Sequence, residues 1–261
     1  MRNILLTLQY SGERYCGWQR QPEGLSVQQT VEEALEAVNG GPVRLRAAGR
    51  TDAGVHAEGQ AANFRTESPH PPEAFLRAGN ALLPEDIAIA AATEVPLEFD
   101  ARRDTRVRWY RYRVFTAPVR PVFRREQMFH CHWRLDEERG QRALALFRGP
   151  HDFAGMRSAQ CSATRTLLDL ECALTATPGR WTFDFQSRSF LHNMVRILVG
   201  ATLEAARGKL AVAELEAILR SARRDSRIPT APARGLTLMA VGYPPEKAVG
   251  ARIISVGGEA W

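Results

Sequence analysis

The chemistry in this chain is most concentrated around Asp52, in the stretch AAGRTDAGVHAEGQ, residues 47–60. Asp-Ala-Gly reads as a tight turn, because Asp bonds its own backbone and Gly54 tolerates positive φ. A turn does not account for Arg50 two residues before the acid, nor for the scarcity of other charge nearby. Several chemistries can be set aside. A phosphate-binding loop needs G-x-x-x-x-G-K-[ST], which is absent. A two-metal site needs convergent carboxylates, and only Glu58 lies close to Asp52 in sequence. A serine hydrolase of the G-x-S-x-G kind has no matching segment. What remains is a lone aspartate acting directly as nucleophile or base, kept ionised by arginine and presented on a turn.

Arginine supplies the other chemistry. Nine arginines lie between Arg102 and Arg125, with Asp104 the single acid, and Trp109, Tyr110 and Tyr112 are interleaved among them. Basic groups beside aromatics on a strand can hold RNA phosphates and stack bases, which makes Arg108, Arg111 and Arg113 candidate RNA-binding residues. The competing reading is a solvated strand face with ordinary core aromatics. Arg196 sits inside SRSFLHNMVRILVGATLEAARG, a segment apolar around most of a helical circumference. A buried arginine there calls for an anionic partner, either a structural ion pair or a carboxylate held for catalysis. In HCHW, His130 and His132 would share one strand face and Cys131 the other, so no metal site is expected.

Hydrophobic periodicity shows the elements that must carry these residues. NILLTLQY reads as a strand. Ser26 reads as an N-cap with Gln29 completing a capping box, ahead of a helix that Asn39-Gly40 ends. VRLRAA and GQAANFR are strands, PPEAFLRAGNALLP a helix and DIAIAAATEV a strand, giving β-α-β-β-α-β, the ferredoxin-like split unit. The second half repeats the theme. VRWYRYRVF and QMFHCHW are strands, and residues 136–148 a helix closed by Gly149-Pro150. LLDLECALTA and RWTFDFQS are strands, residues 189–206 and VAELEAILRSA helices, and GLTLMAVGY the last strand. The class is α+β, two such units joining into a mixed, mainly antiparallel sheet with a central cleft.

Charge divides the 261 residues unevenly. Residues 1–104 carry 10 basic and 15 acidic side chains, and the remainder carry 25 and 14, so an anionic partner would be met by the second half. Only Lys209 and Lys247 are lysines, and arginine forks match phosphate geometry. The expected division is 1–104 as an N-terminal subdomain bearing Asp52, 105–246 as a basic, RNA-binding subdomain, and 247–261 as a tail. Cys16, Cys131, Cys161 and Cys172 show no C-x-x-C spacing. With no export signal or bilayer-spanning apolar run, a reducing cytoplasm and no membrane partner are expected.

GRTDAGVHA closely resembles the active-site motif of the tRNA pseudouridine synthase A family. YSGERYCGWQRQPEGLSVQQTVEEAL resembles its N-terminal signature, RWYRYRV its tyrosine-bearing strand and HDFAGMR its mid-chain motif. FLHNMVRILVG resembles its arginine helix and TAPARGLTL its closing segment. The resemblance implies the pseudouridine synthase fold and isomerisation of uridine to pseudouridine at positions 38, 39 and 40 in the tRNA anticodon stem-loop. It also implies a homodimer that needs no cofactor. Asp52 would then be the catalytic residue, attacking or deprotonating the ribose or attacking the pyrimidine. Tyr110 would stack on the target base, Arg196 would pair with Asp52, Arg50 would help extrude the uridine, and Leu236 would wall the pocket. One departure is Asp100 in FDAR, where the family often has His. The alternative is a non-catalytic RNA-binding protein on the same scaffold, since fold does not fix function.

Overall fold

The computed structural model describes residues 1–159 and 161–247, so the expected tail lies outside the described residues from 248 onward. Contacts divide the chain into two compact units. The first is Met1–Arg108 with 238–247, and the second is Trp109–Thr237.

The first unit holds β1 (Arg2–Tyr10), α1 (Val27–Asn39), β2 (Arg46–Ala47), β3 (His56–Thr66), α2 (Pro72–Leu82) and β4 (Ile87–Val95). β1 is central, antiparallel to β3 through Ile4↔Phe64 and to β4 through Leu5↔Thr93. Both helices bury apolar faces, Val27, Val31 and Leu35 from α1 and Phe75 from α2. Phe75 meets Phe64 edge-on at 5.3 Å. Ser26 caps α1 as expected, its hydroxyl accepting from the Gln29 N–H at 3.2 Å, while the Gln29 side-chain amide donates to Glu33. Gly40 ends α1 at φ 73°, the left-handed conformation glycine adopts without a Cβ clash.

The second unit holds β5 (Val107–Phe115, from Trp109), β6 (Phe129–His130), α3 (Glu137–Ala145), β7 (Gly149–Asp152), β8 (Leu167–Thr177), β9 (Arg180–Ser187), α4 (Met194–Ala206) and α5 (Val212–Ser221). Its strands run β5-β9-β8-β7. The closing strand β10 (Leu236–Gly242) passes into the first unit at Leu238 and lies beside β3. β5 and β6 pair in parallel, whereas β1–β3, β1–β4, β2–β3, β7–β8 and β8–β9 are antiparallel. The α+β class with mixed, mainly antiparallel pairing is therefore as expected.

Four expected elements are shorter than their patterns. VRLRAA keeps only β2, because carboxylates of α1 take its backbone instead of a ladder: Glu32 accepts from the Leu45 N–H at 2.9 Å and Glu36 from that of Val43 at 3.3 Å. QMFHCHW keeps only β6, so His132 is not on a strand with His130. α3 stops at Ala145, and Gly149-Pro150 opens β7, which pairs with β8 through Gly149↔Leu170. α4 starts at Met194 rather than 189, because Asn193 is left-handed at φ 61°, a conformation that cannot continue a right-handed helix. Phe190 and Leu191 extend the apolar spacing from outside the helix.

Candidate active site

Asp52 lies in the connection between β2 and β3, and the first unit fixes that connection almost peptide by peptide. The Ala48 N–H donates to Ala61 O at 2.7 Å. The Ala48 carbonyl accepts from the Arg108 guanidinium, from Nε at 3.2 Å and also from Nη2. The Gly49 carbonyl accepts from Gln60 Nε2 at 2.8 Å. The Thr51 hydroxyl meets Tyr10 OH at 2.9 Å, and its carbonyl accepts from the Trp18 N–H at 3.0 Å. Finally the Val55 N–H closes the turn on Asp52 O at 3.1 Å, with Gly54 at φ 77°. Asp52 is half-buried and Arg50 exposed at the lip of this loop. The local effect is a carboxylate on backbone that has little freedom to move, the arrangement that makes oriented attack or proton abstraction efficient.

The N-terminal signature has a physical reason to contain glycines. Gly12 lies so close to the Val55 backbone that any Cβ would collide with it, and at Gly17, with φ 104°, a Cβ would sit 2.7 Å from Thr51 O. The segment 11–18 thus packs backbone against backbone on the Asp52 loop. His56 ties the two further, its Nδ1 accepting from the Gly12 N–H at 3.2 Å. A nitrogen that accepts leaves the ring proton of a neutral imidazole on Nε2.

Gln60 is fully buried in β3, and its Oε1 has no hydrogen-bond partner among the described residues. Such an orphan costs about 1–3 kcal/mol, so an apolar side chain would suit the core better. The bond to Gly49 is what the glutamine adds in its place. Asp100 has a similar supporting role. Oδ1 accepts from the N–H groups of Arg102 at 3.0 Å and Arg103 at 2.9 Å, and Oδ2 pairs with Arg46 at 3.3 Å. Burial pushes its carboxyl up, but the Arg103 N–H, the Arg46 guanidinium and the Arg102 N–H outweigh it, and the net shift is downward.

In the second unit β5 alternates strictly. Tyr110, Tyr112 and Val114 are buried on one face, and Trp109, Arg111 and Arg113 are half-buried on the other. Arg108 falls on the first face by the same period of two. The expected RNA-binding trio is therefore split: Arg108 is 9% exposed and spent on Ala48 O. Arg111 forks onto Asp184, at 2.9 and 3.2 Å, over the Trp109 ring. Arg113 donates to Thr237 Oγ1 at 3.2 Å.

Tyr110 meets Phe190 edge-on at 5.0 Å. Beside it, Tyr112 donates to Pro232 O at 2.7 Å, and its ring occupies the space a Cβ would need at Gly235. Burial, set against the nearby Arg196 and Arg234, drives the Tyr112 hydroxyl pKa far up, so it stays a donor. Arg196, half-buried on α4, donates to Ala231 O at 2.8 Å and to Asn193 Oδ1 at 2.7 Å. Together these bonds seat the segment 231–235 that leads into the buried Leu236. Of the residues singled out, Asp52 and Arg50 belong to the first unit, and Tyr110, Arg196 and Leu236 to the second.

Sequence reasoning missed Tyr10, Gly12, Gly17, Trp18, His56 and Gln60 as supports of the loop. The glycines inside YSGERYCGW were the available signal, because they are neither at a helix end nor in a simple hairpin. Among the described residues no group of three or more His, Cys, Asp or Glu is placed to hold a metal ion. No helix among them is long and apolar enough to cross a membrane.

Comparison with known proteins bears on the same segments. The sequence pattern of the tRNA pseudouridine synthase family matches residues 7–104 and 143–244. A protein of Pelobacter propionicus named tRNA pseudouridine synthase A is 43% identical over 93% of this chain and all of its own length. Proteins of the same name from Syntrophotalea carbinolica and Acetivibrio thermocellus are 42% and 40% identical, over 95% and 93% of this chain and 99% and 100% of their own.

Proposed function

The chain belongs to the tRNA pseudouridine synthase family, and from that premise we propose that it isomerises uridine to pseudouridine at positions 38, 39 and 40 of the tRNA anticodon stem-loop, with Asp52 as the catalytic nucleophile. The reaction breaks the bond from N1 of the base to C1′ of the ribose, turns the base over and joins C5 to C1′. N1 gains a proton and C5 gives one up. Oxidation state is unchanged and no external group is transferred, so the chemistry asks for no cofactor.

The observation that carries the reading is the loop from Ala48 to Val55, in which the carbonyls of Ala48, Gly49, Thr51 and Asp52 each have a donor. Enzymes that act on a base must take it out of the stack. Arg50, exposed beside Asp52, is suited to hold the helix open. Tyr110 would stack on the extruded base and assist proton movement, and Leu236 would wall the pocket. Arg196 would pair with Asp52 and keep it ionised. Asp52 attacks C1′, deprotonates the ribose or attacks the pyrimidine ring; each route uses the same fixed carboxylate.

The first subdomain would thus carry catalysis and the basic second one the RNA, with Arg111 and Arg113 on the partly open face of β5. The protein would work in the cytoplasm as a homodimer. Tritium release from C5-labelled uridine in a tRNA transcript tests the reading. Asp52→Asn keeps size and turn geometry, so turnover should vanish while tRNA affinity stays within a few-fold of wild type. Substantial release by that variant would overturn the assignment.

A further inference from the structure

Between β5 and β6 the chain forms an arm, residues 116–128, with neither helix nor strand before a single turn at Arg125–Gln127. It carries the most exposed large apolar side chains of the described residues: Phe123 at 88%, Val119 at 76% and Val122 at 75%. Arg120, Arg124 and Arg125 are exposed among them, and the arm's only acid, Glu126, is 3.2 Å from Arg125. Folding gains nothing from a phenylalanine left in water, and clustered exposed apolar groups mark an interaction surface. The charge identifies the partner as a polyanion.

The backbone supports the same conclusion. Thr116 N–H is held by Gly179 O at 2.9 Å, and Ala117 O meets His130 Nε2 at 2.9 Å, so the root of the arm is fixed. Pro118 and Pro121 restrict the backbone beyond that root, which lowers the ordering cost of binding. Arg124 sits at φ 57°, a conformation that costs a non-glycine residue energy and tends to be kept where function uses it.

We propose that this arm is a second contact with the tRNA substrate, in which Phe123 stacks on an unpaired base and Arg120 and Arg124 meet the flanking phosphates. Aromatic stacking within a basic setting is how unpaired nucleotides are held without sequence readout. Tyr110 and Phe115 are five residues apart on one strand, about 16 Å at the usual rise. Phe123 lies a further eight residues along the chain from Phe115, on the arm rather than on the strand that carries Tyr110. The proposal rests on the tRNA reading above.

The test uses the full-length enzyme and an unmodified tRNA transcript, measuring the binding constant against salt together with tritium release. Phe123→Ala should bind about tenfold more weakly, with the salt slope and the turnover at saturating tRNA unchanged. Phe123→Trp, which keeps an aromatic ring, should bind as wild type does. Arg124→Ala should reduce the log–log salt slope by about one. If wild type neither binds nor modifies tRNA, the functional reading fails. If wild type does both and Phe123→Ala and Arg124→Ala bind as it does, the arm proposal alone fails. A change of oligomeric state in Phe123→Ala, seen by sedimentation with tRNA affinity unaltered, would make the arm a contact between copies of the chain and overturn the proposal.

Discussion

The Asp52 loop and the Phe123 arm are both connections between strands, yet they are built in opposite ways. From Ala48 to Val55 nearly every peptide is engaged by a side chain or by neighbouring backbone. From Pro118 to Phe123 the chain is stiffened by proline and otherwise exposes apolar surface and arginine to solvent. The difference matches two physical demands. A reacting carboxylate loses rate when it is misplaced by an ångström, whereas stacking and phosphate contact tolerate adjustment. Where the chain spends hydrogen bonds on a loop, geometry is being protected; where it leaves side chains free, capture is.

Of the contacts that hold the Asp52 loop, the one at Gly17 leaves little room for change. Gly17→Ala would force a methyl group against Thr51 O on backbone already at positive φ. Turnover should fall by about 100-fold or more, with a stability loss of a few kcal/mol. Kinetics and urea melts of the purified variant check both, and near-normal turnover would mean that the loop is not held from this side.

Next come the two carbonyl clamps. Arg108→Met removes charge-assisted bonds to Ala48 O and should cost about 2 kcal/mol and roughly tenfold in kcat. Its salt slope for tRNA binding should match wild type, because the guanidinium faces the protein. A slope reduced by one with kcat intact would instead return Arg108 to the RNA surface. Gln60→Leu should be milder in stability, since it also removes the orphaned Oε1, and should lower kcat while KM holds.

In a third connection, the turn after Asp100, that residue's carboxylate accepts from two backbone N–H groups. Asp100→Asn should lose about 1 kcal/mol at pH 7, in the range of a capping carboxylate. The folded carboxyl titrates below its ordinary value of 3.8. Its stabilisation is therefore fully present above pH 3.8 and is lost as pH falls through the folded value. Urea midpoints of the two proteins should converge in that acidic window, and a constant gap down to pH 3 would remove the charge from the explanation.

The elements of the first unit were legible because each apolar pattern is local: NILLTLQY, GQAANFR and DIAIAAATEV became β1, β3 and β4. Failures arose where a distant or unusual partner decided. VRLRAA lost its outer residues to Glu32 and Glu36, side chains that periodicity cannot assign. Apolar spacing ran past Asn193 because Phe190 and Leu191 pack from irregular chain, Phe190 half-buried and Leu191 buried, as readily as from a helix. At the candidate site the acid and its turn could be read directly, but not its supports, which come from β1, the segment 11–18, β3 and Arg108 at the start of β5. The stripe of arginines was visible as composition. Its division across the two faces of β5 followed from alternation alone, which the count of basic residues obscured.

The placement of β10 has a consequence for how the enzyme is made. β10 closes the first unit beside β3, where Gly59 lets the Met239 carbonyl approach, and Gly242 O receives the Arg106 N–H at 2.9 Å. The unit that carries Asp52 is therefore synthesised in two parts, Met1–Arg108 before the second unit and β10 after it. A nascent chain emerging from the ribosome can pair β1, β2, β3 and β4, but the stretch of β3 that lies beside β10 waits for its partner until the whole second unit has been made. An open strand edge invites mispairing in that interval. It also means that a polypeptide interrupted anywhere before β10, even one containing Asp52, Tyr110 and Arg196, is left with an unfinished first unit.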